Sequence, residues 1–481
     1  MSAVAVESRR PAGRLPAGDT ARSLPLDRLE LLCDEGSFAP LRSGVISPAL
    51  GARAAVGDGV VAGAGTVGGQ PVFCYAQDPH YLGGSLGAAH ADSIVRVMRL
   101  AGDAGAPVIG LVESGGARLQ EGHAALGGYG RIFRASVELS RRVPQISIVT
   151  GVSAGGGAYS PALTDFVVMT AGARMFLTGP RVVQAALGEE VSMEELGGPD
   201  VHARNGVCQL TADDDADAAR LARDLLGYLP PRLGERPVPA PAGATPAGDP
   251  GAAVPADPRR VYDVRDAVGA VVDGGELLEL SAGWARNMVT GFARIGGRPV
   301  GVIANQPRYL GGVIDAEAAE KAALFVASCD RFGLPMTVFV DTPGFMPGTR
   351  QEHRGVIRHG ASLLRAFAAA SVPKLTVVLR KAYGGAVITM NSKDLGADLA
   401  FAWPGAEIGI MAASQAVGIV HRGALEGADD PDAARGELAD AYAEEHLGAA
   451  RAAASGYVDE VIEPAATRER LAWALTALER R

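Results

Sequence analysis

The chain contains the same series of short motifs twice, at a constant offset in residue number. Val67-Gly-Gly-Gln-Pro-Val72 returns as Ile295-Gly-Gly-Arg-Pro-Val300, and other pairs follow at the same offset. This register is expected to place Ser153-Ala-Gly-Gly-Gly-Ala158 on Lys381-Ala-Tyr-Gly-Gly-Ala386. The period is far longer than the roughly 20–50 residues of solenoid repeats. It therefore predicts two homologous domains, each with a glycine-rich turn at a matched position.

The predicted organisation follows from this duplication. With 481 residues and 48% hydrophobic content, the chain can supply two cores. Residues 1–25 show no periodicity and are expected to be disordered. A first domain is predicted over 26–229 and a second over 261–481. Residues 230–260 are rich in Pro, Ala and Gly, a composition typical of a linker.

Composition also restricts the class of protein. No basic stretch offsets the net charge of −9, which argues against a nucleic-acid binder. The four cysteines are far apart and the histidines show no ligand spacing, so neither disulfides nor a metal site is expected. We find no uninterrupted apolar run of membrane-spanning length and no secretory signal, so a cytoplasmic enzyme without a membrane span is expected.

Hydrophobic periodicity indicates an α/β fold. Short apolar runs of buried-strand type begin at Val72, Val108 and Ile146, and segments of helical spacing lie between them at 88–104 and 127–142. Such alternation predicts a parallel sheet with helices around it. The Gly-Gly pairs at 68–69 and 296–297 stand between strand-like runs and predict hairpin turns.

Two common motifs occur in unsuitable settings. Gly63-Ala-Gly-Thr-Val-Gly68 matches the dinucleotide-binding pattern, but a strand follows where a helix should begin. Gly151-Val-Ser-Ala-Gly155 matches the GxSxG turn of serine hydrolases and does follow a strand. Ser153 is nevertheless expected to match Lys381 in the second half. The duplication therefore preserves glycines and not a nucleophile, which leaves a hydrolase as the weaker alternative.

The glycine runs are the stronger candidates for a site. Gly155-Gly156-Gly157 and Gly384-Gly385-Ala386 each follow an apolar strand and are predicted to open a helix. Small residues admit a ligand, and free N–H groups at a helix start bind developing negative charge. Close packing of strand against helix would also require glycine. The recurrence in both halves favours the ligand role.

Longer motifs carry a resemblance to a known family. They are Ser114-Gly-Gly-Ala-Arg-Leu-Gln-Glu-Gly122, Tyr159-Ser-Pro-Ala-Leu-Thr-Asp165, Val340-Asp-Thr-Pro-Gly-Phe-Met-Pro-Gly-Thr349 and Arg380-Lys-Ala-Tyr-Gly-Gly-Ala386. Over about residues 26–460 the chain resembles the carboxyltransferase (β) subunit of biotin-dependent acyl-CoA carboxylases, of the propionyl-CoA carboxylase type. The resemblance implies two tandem crotonase-like (ββα-spiral) domains. It also implies a homohexamer whose sites lie between the N-domain of one subunit and the C-domain of another.

The resemblance further implies a reaction. A carboxyl group would move from carboxybiotin, carried by a separate biotin carboxylase/carrier (α) subunit, to the α-carbon of an acyl-CoA. Acyl-CoA would bind the first domain and carboxybiotin the second. Both the enolate and the biotin oxyanion need preorganised N–H donors, while biotin itself is the base. The alternative is a biotin-independent decarboxylase or thioester hydrolase on the same scaffold.

Site residues are carried over on the positions that match the family motifs. The catalytic turn residues are expected to be Gly156, Gly157, Gly384, Gly385 and Ala386. The substrate contacts are expected at Gly115, Gly116, Ala117, Arg118, Ala154, Gly155, Tyr159 and Ile388. The family pattern assigns the thioester donors to Gly156 and Gly157 and the biotin donors to Gly385 and Ala386.

The chain departs from the family pattern just after the second turn. The family usually continues with Tyr, a variable residue that is often Asp, Val and Met, whereas this chain has Val387-Ile388-Thr389-Met390. The position of Ile388 is associated with the acyl pocket, so a more apolar and roomier pocket is predicted. We therefore expect tolerance of an acyl chain longer than propionyl, or preference for an unusual one. Within Met411-Ala-Ala-Ser-Gln-Ala416, larger residues replace glycines, a change that is neutral or narrows the biotin side.

Overall fold

The computed structural model describes residues 24–246, 248–257 and 260–479. Most of the segment predicted to be disordered, 1–25, lies outside these residues, and a helix already begins at Pro25. Within the described residues, the chain forms two sheets of eight strands each, one per half. The predicted α/β fold with an internal duplication is confirmed.

The first half, up to Tyr228, contains the first sheet and the helices around it. Its strands are β1 (Ala39–Leu41), β2 (Val60–Val67), β3 (Gln70–Gln77), β4 (Val108–Ser114), β5 (Gln145–Ala154), β6 (Phe166–Thr170), β7 (Arg174–Phe176) and β8 (Leu210–Ala212). Its helices are α1 (Pro25–Leu32), α2 (Ala88–Ala104), α3 (His123–Leu139), α4 (Gly156–Ala162), α5 (Pro180–Leu187), α6 (Met193–Gly197), α7 (Pro199–Asn205) and α8 (Asp215–Tyr228).

The second half repeats this order with additional helices near its end. Its strands are β9 (Leu278–Leu280), β10 (Met288–Ile295), β11 (Arg298–Asn305), β12 (Met336–Thr342), β13 (Lys374–Tyr383), β14 (Leu399–Ala402), β15 (Glu407–Gly409) and β16 (Glu460–Val461). Its helices are α9 (Val264–Gly269), α10 (Ala316–Arg331), α11 (Thr349–His353), α12 (Val356–Ala369), α13 (Gly385–Thr389), α14 (Ala413–Val420), α15 (Arg422–Glu426), α16 (Pro431–His446), α17 (Ala449–Ala454) and α18 (Thr467–Ala477). None of the helices in the described parts of the chain is long and apolar enough to cross a membrane.

Both sheets have the same topology. The first runs β1-β2-β3-β4-β5-β6-β8 with β7 beside β5, and the second runs β9-β10-β11-β12-β13-β14-β16 with β15 beside β13. The pairs β2–β3 and β10–β11 are antiparallel hairpins, while β3 to β6 and β11 to β14 are parallel. The predicted hairpin turns at 68–69 and 296–297 are confirmed, and all four glycines have positive φ angles. The predicted helix at 88–104 is α2, whereas that at 127–142 begins and ends earlier, as α3.

A buried or half-buried carboxylate holds each hairpin turn. Asp34 accepts hydrogen bonds from both N–H groups of the first turn, at 3.0 and 2.8 Å, and Asp273 does so at the second, at 2.9 and 2.7 Å. Arg223 in α8 donates to Asp34, and Arg468 in α18 donates to Asp273. Helix α8 is thereby connected to the β2–β3 hairpin, and helix α18 to the β10–β11 hairpin.

The offset between the two halves increases by one position in the middle of each sheet. Val108 and Met336 begin β4 and β12 at the offset of the hairpin motifs, but the starts of β5 and β13 are one position further apart. Strand pairing places Val152 against Arg174 and Lys381 against Glu407. The expected match of Ser153 with Lys381 is therefore wrong, because Lys381 matches Val152 and Ser153 matches Ala382. The added residue lies in the helical connection, where an insertion disturbs no strand pairing.

The two halves share one hydrophobic core. The ring centroid of Phe166 in β6 lies 5.9 Å from the ring centroids of both Phe292 and Phe332. The ring centroids of Tyr228 and Phe292 are 5.8 Å apart. These rings join the sheet of the first half to elements of the second, so aromatic burial contributes to holding the halves together.

The predicted linker follows the surface of both halves. Its Leu233 N–H donates to Arg142 O at 2.9 Å, and its Ala240 N–H donates to Gly297 O at 3.0 Å. A Cβ atom on Gly297 would lie 2.1 Å from the carbonyl oxygen of Ala240. Glycine at the second hairpin therefore also admits the linker, a contact that composition could not reveal.

Candidate active site

Each half has one strand–turn–helix unit at its glycine run. β5 leads through Gly155, with φ 58°, into α4, and β13 leads through Gly384, with φ 63°, into α13. These positive φ angles favour glycine. Gly156 and Gly385 are the first helical residues of the two units, followed by Gly157 and Ala386.

Hydrogen bonding separates the roles of these residues. The N–H of Gly155 donates to Phe176 O at 3.1 Å, and that of Gly384 donates to Gly409 O at 2.9 Å. The N–H of Gly384 is thus already used within the chain, which favours a role in shaping the turn; its expected catalytic role stays a prediction. In contrast, the first two N–H groups of a helix have no carbonyl partner within that helix.

The two helix starts differ in the space around them. A Cβ atom on Gly156 would lie 2.7 Å from the ring of Tyr129, so packing alone requires glycine there. On Gly385 it would meet no atom of the described residues within 4 Å, and Gly385 is exposed. The chain itself therefore gives no steric reason for glycine at 385, whereas close approach of a ligand would.

The loop after β4 lies against the first turn. The Gly116 N–H donates to Ser114 Oγ at 3.2 Å, and a Cβ atom on Gly116 would lie 3.4 Å from the carbonyl oxygen of Ala154. Gly115 is exposed beside it, and Ala117 pairs with Leu86. The structure thus brings together the predicted residues 115–117 and 154–157.

The side chain of Arg118 lies inside the first half. Its guanidinium is fully buried and donates to Asp58 at 2.6 Å, to Glu121 at 2.8 Å and to the carbonyl of Ser85 at 2.9 Å. Burial raises the pKa of Asp58, while Arg118 opposes this shift. The side chain of Arg118 therefore holds the loop that carries residues 115–117, while the expected substrate contact at this position stays a prediction.

Tyr159 and Ile388 lie next to different turns. Tyr159 is exposed on α4, and its ring packs edge-on against the ring of Phe133, with 6.2 Å between the ring centroids. Ile388 is 48% exposed and lines a cavity of about 450 Å³ beside the second turn. Other residues lining this cavity are Gly384, Gly385, Ile408, Ile410 and Tyr457. The mainly apolar lining suits an apolar group or a flat ring.

A buried carboxylate organises the strand end below the second turn. Asp341 accepts hydrogen bonds from Tyr262 at 2.8 Å and Arg380 at 3.1 Å, and Lys381 Nζ lies 3.7 Å away. Burial raises the pKa of Asp341, and these cations oppose the shift. Tyr383 donates to Glu407, which fastens β13 to β15. Sequence reasoning did not select this cluster, although the duplicated motif at 340–344 contains Asp341.

The candidate site holds no cluster of metal ligands. Among the described residues, no three His, Cys, Asp or Glu side chains come together in a way that could bind a metal ion. The two turns themselves present the backbone N–H groups of the first residues of α4 and α13.

The chain is similar to known proteins over most of its length. A family profile described as the carboxyl transferase domain matches residues 17–481. The methylmalonyl-CoA carboxyltransferase 12S subunit of Propionibacterium freudenreichii subsp. shermanii is 47% identical over 421 residues, 87% of this chain and 80% of that protein. The propionyl-CoA carboxylase beta chain of Roseobacter denitrificans is 42% identical over 98% of this chain and 95% of its own length.

Solved structures agree. The crystal structure of transcarboxylase 12S, described as a hexamer assembly with methylmalonyl-coenzyme A and methylmalonic acid bound, has a TM-score of 0.92 and 44% identity, covering 96% of this chain and 90% of that one. A single-chain, multi-domain long-chain acyl-CoA carboxylase has a TM-score of 0.84 and 32% identity, covering 95% of this chain and 46% of that one. The chain therefore belongs to the carboxyl transferase domain family.

Proposed function

We propose that this chain is the carboxyltransferase subunit of a biotin-dependent acyl-CoA carboxylase. It moves a carboxyl group from carboxybiotin, carried by a separate biotin carboxylase/carrier subunit, to the α-carbon of an acyl-CoA. The observation that carries this proposal is the pair of matched strand–turn–helix units, each presenting two N–H groups without a partner in its own helix. A reaction with two developing oxyanions needs two such sites.

The proposed roles follow the two helix starts. The N–H groups of Gly156 and Gly157 bind the thioester oxygen as the acyl-CoA becomes an enolate. Those of Gly385 and Ala386 bind the ureido oxygen of biotin, for which the open space at Gly385 and the apolar cavity beside it are suited. When bound, carboxybiotin supplies the carboxyl group and the base. Each backbone donor contributes about 3–4 kcal/mol of transition-state stabilisation in comparable sites.

We also propose a homohexamer in which each site combines the first half of one subunit with the second half of another. In the part of the chain that the structure describes, the residues lining the cavity at the second turn all belong to the second half, from 384 to 457. A complete site therefore needs a first-half turn from elsewhere, and the transcarboxylase 12S relative forms a hexamer. A cytoplasmic location belongs to the same proposal, since Cys33, Cys74, Cys208 and Cys329 are free thiols, as is usual in reducing compartments.

Carboxyl transfer can be measured directly. Labelled carboxylate on a carboxylated biotin carrier is offered with a panel of acyl-CoA thioesters to the wild type and to Gly385→Pro, which removes one N–H. Gly385→Ala keeps the N–H and adds only a methyl group, so its loss of activity measures crowding of the ligand, and any further loss in Gly385→Pro measures the missing N–H. We expect transfer by the wild type and loss of more than about 100-fold in Gly385→Pro. Turnover of thioesters without biotin, and no transfer by the wild type, would overturn the proposal in favour of a biotin-independent enzyme.

A further inference from the structure

Each helix start carries a buried hydroxyl group at the same position. Ser160 Oγ in α4 donates to the carbonyl of Gly156 at 3.4 Å, and Thr389 Oγ1 in α13 donates to the carbonyl of Gly385 at 2.8 Å. The two hydroxyl residues are related by the same offset as the turns themselves. Each therefore bonds the first carbonyl of its helix.

That carbonyl belongs to the peptide group that supplies the second N–H of the turn. The oxygen of Gly385 and the N–H of Ala386 are the two ends of one planar amide. A hydrogen bond to the oxygen fixes the plane of this amide. It also polarises the amide, which makes the N–H a stronger donor.

Hydroxyl groups that bond the carbonyl four residues earlier are common in helices and usually only bend them slightly. Two observations favour a further role for Thr389. Its bond is made to the turn itself, because α13 has only five residues and Thr389 is the last of them. The Thr389 bond is also short, at 2.8 Å, whereas the matching bond of Ser160 is 3.4 Å long.

We propose that Thr389 is a positioning residue for the second turn: its hydroxyl orients and polarises the Gly385–Ala386 amide, whose N–H stabilises the negative charge developing on biotin. This proposal rests on the proposed carboxyltransferase function. Thr389 is 2% exposed, so water cannot replace the hydroxyl once it is removed. Ser160, with the longer bond, holds the corresponding amide of the first turn more weakly.

The test compares Thr389→Val, which keeps the shape and removes the hydroxyl, with Thr389→Ser, which keeps the hydroxyl. The control is Thr476→Val, because Thr476 makes the same kind of bond, to Ala472 O at 2.9 Å, in α18. Carboxyl transfer to the best acyl-CoA of the panel is measured as kcat and KM, together with Tm. We expect kcat to fall about 2- to 10-fold in Thr389→Val, because this is the effect of losing one hydrogen bond between neutral groups. KM for acyl-CoA should be unchanged, because the amide acts mainly in the transition state.

The outcomes separate the two proposals. A wild type that transfers no carboxyl group overturns the proposed function itself. An active wild type with equal kcat in Thr389→Val overturns the role of Thr389 alone. Equal losses of kcat in Thr389→Val and Thr389→Ser would also overturn it, because then packing and not the hydroxyl would be responsible. A loss in Thr389→Val that Thr389→Ser and Thr476→Val do not share supports the positioning role.

Discussion

Arg331 in the second half forms a salt bridge with Asp165 in the first, with 2.5 Å between Nη2 and Oδ1. The carboxylate of Asp165 is 3% exposed, and burial raises its pKa against the opposing effect of Arg331. Asp165 also accepts a hydrogen bond from the N–H of Gln145 at the start of β5. The pair thus connects the halves next to the aromatic rings that they share.

Removal of this arginine is expected to destabilise the protein strongly. Arg331→Ala leaves a buried carboxylate without its cation, which costs about 3–5 kcal/mol. Arg134→Ala is the control, because Arg134 pairs with Glu138 on an exposed helix surface, where such pairs contribute less than about 0.5 kcal/mol. Thermal denaturation should show a much larger decrease in Tm for Arg331→Ala. Similar Tm values for the two variants would contradict the role assigned to the salt bridge.

Lys321 is expected to make stability depend on pH. Its buried ammonium donates to the carbonyls of Ser281, Trp284 and Met288 at 2.7–2.9 Å, and burial lowers its pKa from 10.5 to about 8. Between about pH 8 and pH 10.5, Lys321 is still protonated in the unfolded chain but has lost its proton in the folded one. The free energy of unfolding contributed by Lys321 therefore rises with pH in that window.

The comparison is with Lys321→Met, which cannot titrate. The Tm of the wild type minus the Tm of Lys321→Met should increase from about pH 8 to pH 10. A difference that stays constant over this range would show that Lys321 keeps its ordinary pKa in the folded protein.

Ser153→Ala is expected to retain carboxyl transfer. The Ser153 hydroxyl is fully buried and donates to the carbonyl of Gly157 at 2.8 Å, so it is engaged in holding α4. Its loss should lower stability by about 1 kcal/mol and leave most of the transfer rate. Steady-state transfer assays check this expectation. Thioester hydrolysis by the wild type that Ser153→Ala abolishes, with a wild-type melting curve, would instead support a serine hydrolase.

Ile388→Asp is expected to shift acyl-chain selectivity. Ile388 borders the apolar cavity at the second turn, which in the proposed hexamer faces the acyl-CoA held at the first-half turn of another subunit. A carboxylate at 388 would have to be desolvated against a long acyl chain that reaches this cavity. We expect the ratio of kcat/KM for longer acyl-CoA to that for propionyl-CoA to fall at least about 10-fold. Ile388→Val serves as the control that keeps the site apolar. An unchanged ratio, or a wild type strictly limited to propionyl-CoA, would place the acyl chain elsewhere.

Local elements could be predicted from the sequence because their causes are local. The hairpin turns need positive φ angles at adjacent residues, which the Gly-Gly pairs provide. The helix at 88–104 has a helical apolar pattern and ends before Gly105, which adopts the left-handed conformation with φ 66°. The strand–turn–helix units at 155 and 384 follow from the same two signals.

Other features could not be predicted because they depend on distant partners. The environment of Arg118 is set by Asp58, 60 residues earlier in the chain. Nothing near Arg118 in sequence distinguishes a buried structural guanidinium from a ligand-binding one. The change in offset between the halves was hidden because two glycines of each run coincide with or without the added position and the unshifted register also pairs two alanines. Strand pairing identifies the shifted alignment.

The sequence by itself determined that the chain has two copies of one α/β unit, each with a glycine turn, because repeated residues impose the same backbone conformations wherever they occur. Tertiary structure alone decided which N–H groups of those turns remain available. Gly384 loses its N–H to Gly409 through pairing of β13 with β15, whereas Gly385 faces open space. The physical reason is that a hydrogen bond between distant segments depends on how strands and helices pack in three dimensions, which no short stretch of residues specifies.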